Sequence, residues 1–201
     1  MDNQINDHTY RLYNYPLNQM HGMQAEIPAF LINMHQIKDK GDAKAYISRL
    51  VAMNHLFTQL EGSLKDREKA GIMPPKFVFD HVISDCENII KGKPFANSNK
   101  NSTLWNDFPS KIAGLALEDE DRKKLETLAK DAMLNSVRPA YGSLILLLEE
   151  QRKRATDEDG VWKFPNGEDF YNTALKRTTT TNMTADEIHE LGLQEVDRIH
   201  S

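Results

Sequence analysis

With 201 residues, 39% of them hydrophobic and 27% charged, the chain is long enough for one domain with a real core and too apolar to stay disordered. Lys and Arg total 25 against 30 Asp and Glu, a net charge of −5. This mild acidity argues against nucleic acid as a partner, because such binders concentrate a basic surplus on one face, and it gives no attraction to an anionic membrane.

The opening polar stretch has no apolar run of the kind a secretory signal needs. A leader removed upstream is equally compatible with it, so the localisation stays open. Next, Met20, Met23, Ile27, Leu31 and Met34 recur every three to four residues, the period of one helix face, with Pro28 expected to bend or restart that helix. Asp42 reads as the N-cap of the clearest helix of the chain. Along it Tyr46, Leu50, Met53, Phe57, Leu60 and Leu64 form a stripe wide enough to bury, and Gly71 ends it. Pro75 opens a further helix whose apolar face is Val78, Val82, Cys86 and Ile89. Cys86 is the only cysteine, so no intrachain disulfide can form.

The segment from Lys91 to Lys111 is rich in Asn, Ser, Lys and Pro and reads as a loop pinned by Trp105 and Phe108. From Glu118 to Ala155 a long helix is expected, acidic at its start and basic at its end, kinked or split at Pro139. It contains the longest apolar run, Leu144 to Leu148, far short of the ~20 residues that span a bilayer. "VWKFP" reads as a short strand or a loop anchored by Trp162, and a short helix carries Phe170, Ala174 and Leu175. Thr178 to Thr181 should break that helix, because β-branched residues crowd the preceding turn. Thr184 with Glu187 then forms a capping box, and Ile188, Leu191, Glu195, Val196 and Ile199 continue at helical spacing. The fold expected is all-α: a bundle of six or seven helices, one long and kinked, with at most a minor β element, in a single helical domain over residues 1–201.

His189-Glu190 is half of a zinc-protease helix, which needs a second His four residues after the first. Leu193 stands there instead, so the pair is read as a solvated helix face. His81 and Asp85, with Asp80 beside them, are read as a helix-surface ion pair, since two ligands do not make a metal site. Cys86 is read as inert core, His21 as a residue with no visible partner, and Met20, Met23, Met34 and Met53 as core filler. Arg152, Lys153 and Arg154 complement the helix C-terminus ahead of any anion. The threonine run leads, extended, to the next cap; beside a cleft it could offer backbone to a peptide.

Three stretches carry a resemblance: "PLNQMHGMQAEIPAFLINM", "PPKFVFDHVI" and "GVWKFPNGEDFYNTALKRTTTTNMTADEIHELGLQEVDRI". In that order they resemble the N-terminal part of the bacterial domain-of-unknown-function 885 family, over nearly the whole chain. The resemblance implies kinship in fold with zinc metallopeptidases of the thermostable-carboxypeptidase type. It also implies a His-Glu-Ala-x-Pro-Gly-His-His segment, usual in the family, well C-terminal to this region, and nothing in these residues matches it. The chain is therefore expected to be an inactive N-terminal fragment with no catalytic, cofactor or metal residue of its own. Zinc and a peptide substrate would belong to an exported or lipid-anchored parent, whose missing catalytic part would be this chain's partner. The other reading is a non-catalytic helical protein-interaction module. On the fragment reading, uncovered apolar faces should appear and could drive homo-oligomers.

Overall fold

The computed structural model describes residues 8–201, so the first seven residues of the polar opening lie outside it. The chain is all-α, and among the described residues the β content is an isolated bridge between Lys93 and Asn101.

Helix α1 is Met23–Asn33 and contains Pro28. The helix continues through Pro28 without a restart. Proline cannot donate to the carbonyl four residues back, that of Gln24, and the buried Tyr141 hydroxyl donates to this oxygen instead, at 2.7 Å. Helix α2, Lys40–Lys69, is capped by Asp39 and not by Asp42. Asp39 Oδ1 accepts from the Asp42 amide at 2.9 Å, and Asp42 Oδ2 accepts from the Lys38 amide at 2.9 Å. The two acids thus divide the work of a capping box, which a single-residue reading of the cap misses. The whole stripe from Tyr46 to Leu64 is buried, as its spacing requires.

Helices α3, Lys76–Ile89, and α4, Thr103–Ala113, follow. The second half of the expected loop is therefore helical: the Ser102 hydroxyl caps α4, and Phe108 is fully buried on it. Then α5, Asp119–Ala132, runs through a π-helical turn, Met133–Val137, into α6, Arg138–Arg154. Near Pro139 the long helix is interrupted by this π turn and stays helical on both sides of it. Pro139 cannot donate to the Asn135 carbonyl, and the wider i→i−5 bond from the Arg138 amide to the Met133 carbonyl changes register just before it.

One continuous cluster of buried side chains runs from Leu17 to Leu148 and contains the inner faces of α2 to α6. In it α2 packs on α5, the π turn and α6, while α3 lies between α1 and α6. Cationic side chains close the helix ends. Lys111 Nζ donates to the Leu31 and Ile32 carbonyls of α1 at 2.6 and 2.7 Å, and Arg122 donates to the Ile112 and Leu115 carbonyls at the end of α4.

The last third is built differently. "VWK" is one 3-10 turn, Val161–Lys163, and not a strand. Trp162 is no anchor: it is 71% exposed, and the buried ring is Phe164, set among Tyr13, Tyr15 and Phe170. Helix α7 is Gly167–Thr179, so the first two threonines are helical and the break comes at Thr180, where the backbone turns left-handed at φ 58°. Helix α8, Ala185–His200, opens on the expected capping box of Thr184 and Glu187.

Candidate functional site

Helix α8 is the outlier of the fold. It buries no residue, whereas α1 to α6 each bury three or more. Leu191, Leu193, Val196 and Ile199 all stand exposed on it. The first, third and fourth of these, with the half-buried Ile188, line one side of the helix at the spacing that normally faces a core. Trp162 and Tyr171 are also exposed, along a groove shared with Val161, Gly167 and Glu168. A run of large apolar side chains left in water marks a contact surface and not a folding accident, because each exposed aliphatic forgoes roughly 1.5–3 kcal/mol of burial.

A second feature lies between α1 and α2. Met23, Ile27, Phe30 and Leu31 face Ala52, Met53 and Leu56 across an open groove of about 660 Å³, with Arg49 at its rim. Only Met53 of the four methionines is buried; Met23 is half-buried, and Met20 and Met34 are 74% and 69% exposed. The reading of all four as core filler is corrected, since helical spacing says which residues share a face but not whether anything covers it.

A polar network is built around His35, in the connection between α1 and α2. His35 is buried; its Nε2 donates to the Asp42 carbonyl at 3.1 Å, and its Nδ1 accepts from Arg49. Burial, with Arg49 and Lys111 adding like charge, holds its pKa below 6.5 and keeps the ring neutral against the opposing pull of Asp42. Behind it the Tyr46 hydroxyl donates to Asp107 Oδ2 at 2.9 Å, and Lys111 pairs with the same oxygen at 2.9 Å. Burial, then the Asp107 charge, pushes the Tyr46 phenol up, so it serves as a permanent donor.

The residues singled out in the sequence do not converge. His81 is exposed, and Asp85 turns away from it to accept from Gln24 Nε2 at 3.2 Å, so the expected His81–Asp85 ion pair is absent among the described residues. Asp80 pairs instead with Arg152 at 2.7 Å. Arg154 pairs with Glu68 and Lys153 with Glu150, so the basic cluster is neutralised residue by residue. Cys86 is fully buried, and burial, followed by Asp85, pushes its thiol up to about 12. His21, His189 and Glu190 are exposed. Among the described residues no three His, Cys, Asp or Glu side chains come together in a way that could hold a metal ion. The described residues therefore offer no zinc ligand set, and no chemical step is assigned to them. Among the described residues no helix is long and apolar enough to cross a membrane.

A family model described as "Bacterial protein of unknown function (DUF885)" matches residues 1–201. No curated protein matches. Among solved structures, the crystal structure of the "putative lipoprotein" from Colwellia psychrerythraea is similar, with a TM-score of 0.82 and 26% sequence identity. The match covers 93% of this chain and 31% of the Colwellia chain, so the chain spans about a third of that protein's length.

Proposed function

Because this chain belongs to the bacterial protein family of unknown function DUF885, we propose that it forms the N-terminal helical scaffold of a longer, zinc-dependent hydrolase-like protein acting on peptide or peptide-like bonds. The observation that carries this reading is the open apolar side of α8 in a chain that spans 31% of a structural relative. A helix with an apolar stripe and nothing beneath it is stable only against a partner, and a contiguous remainder of the same polypeptide is the partner with the highest effective concentration. Zinc, on this reading, is held by the His-Glu-Ala-x-Pro-Gly-His-His segment that the family resemblance implies, outside these residues. The Colwellia protein's description supports an exported, lipid-anchored parent.

The same exposed side of α8 also favours a second reading, in which it receives a separate protein and the chain is a non-catalytic interaction module. Two measurements on a chain as long as the Colwellia protein separate them. Elemental analysis should find zinc near one per chain, and the α8 amides should be strongly protected from hydrogen exchange. Absence of zinc would sink the hydrolase reading. Amides of α8 that exchange as fast in the long chain as in residues 1–201 would sink the scaffold reading and favour the interaction module.

A further inference from the structure

The groove between α1 and α2 is separate from the α8 surface and independent of the proposed hydrolase. Its floor and walls are Met23, Ile27, Leu31, Met53 and Leu56, and its volume of about 660 Å³ falls in the range of small-molecule sites. The two helices follow one another in the chain, joined by a short connection. Phe30 lies beside Arg49, and Met23, Leu56 and Gln59 also line the groove. From Arg49 to Gln59 the trough follows about three turns of α2, roughly 15 Å.

Besides Arg49, the polar residues of the lining are Glu26, His55 and Gln59. The Arg49 guanidinium stands over the Phe30 ring, 5.6 Å from the centroid, and gives one nitrogen to His35 Nδ1. Among the described residues no carboxylate pairs with it, although Arg carries five donors in a fork that fits a carboxylate. The acid of the groove, Glu26, lies one helical turn before Phe30 on α1. A cation beside an open, mostly apolar groove suits a ligand with an anionic head and an apolar tail. We propose that this groove binds a monocarboxylate with an unbranched alkyl tail, its carboxylate on Arg49 and its tail along Ile27, Met23 and Leu56.

The test is titration of residues 1–201 with octanoate, decanoate and dodecanoate below their micelle-forming concentrations, followed by methyl NMR and calorimetry, with decanol as the uncharged control. Binding should be saturable, shift the Ile27 and Leu56 methyls, and tighten about twofold to fourfold per added methylene. Arg49→Gln should weaken decanoate about tenfold or more while leaving decanol unchanged, and Arg49→Lys should recover part of the loss. Ala52→Trp, or Leu56→Trp if that variant does not fold, should abolish both. The proposal is overturned by any of four results: no saturable binding; equal loss of decanoate and decanol in Arg49→Gln; decanoate binding that survives filling of the groove; or sedimentation showing that a second copy occupies the groove at the concentrations used. Binding lost in a chain as long as the Colwellia protein would also overturn it, by making the groove an internal interface. None of these results touches the zinc or α8 measurements.

Discussion

At Pro28 a single missing N–H is made good from across the molecule. The Gln24 carbonyl it leaves free is taken by the Tyr141 hydroxyl, so α1 and α6 are joined by a bond that neither helix needs for itself. Tyr141→Phe should cost about 1–2 kcal/mol in urea unfolding, because the buried carbonyl loses its donor while the ring still fills its site; an unchanged midpoint would show that the bond adds nothing. His35 makes a second residue-scale prediction. Its pKa in the fold lies below 6.5, so the native state prefers the neutral ring, while the unfolded chain takes up a proton from about pH 6.5 downward. Its contribution is therefore complete above pH 6.5 and is lost as the pH falls toward the native value. Stability measured between pH 7 and 5 should decline more steeply in the wild type than in His35→Gln; parallel curves would remove His35 as a source of that slope. At this scale the sequence reading failed where a side chain had two possible partners. Asp85 bonds Gln24 across the helix pair and ignores His81 on its own helix, and a one-dimensional spacing holds no trace of that choice.

Among the elements, α2 and α8 are opposites with the same kind of pattern. Both have an apolar stripe at helical spacing and both have well-formed caps. The stripe of α2 is buried from Tyr46 to Leu64, and that of α8 is open. A capping box contributes about 1 kcal/mol, which starts a helix but does not hold a sixteen-residue one in water. The α8 amides of this chain should thus exchange at rates near those of an isolated helical peptide, while Leu50 and Phe57 amides exchange only through global unfolding. Equal protection of both helices would mean that α8 has found a partner. The capping box itself was plain in the sequence, because it depends on residues three apart in one chain segment.

For the molecule as a whole, the continuous buried cluster ends at Leu148, and beyond it Phe164 is the buried hydrophobic side chain. Shortening the chain at Thr181 should leave the thermal midpoint within about 2–4 °C, the shift expected for less than about 1 kcal/mol in a domain of this size. A larger drop would place α8 in the cooperative unit. The same distribution explains why the family resemblance and the composition together led to an all-α bundle with uncovered faces, and why neither identified which face was open.

By itself the sequence determined most of the helices, the capping box of α8 and the buried stripe of α2, because those depend on periods of three to four residues and on the bonding of neighbouring backbone groups. Tertiary structure alone decided that the methionines of α1 border a groove, that Trp162 stands in water while Phe164 is buried, and that Tyr141 completes Pro28. Each of these is a contact, or the lack of one, between residues far apart in the chain. A helical period specifies which side chains share a face, and only the packed partner determines whether that face is core or surface.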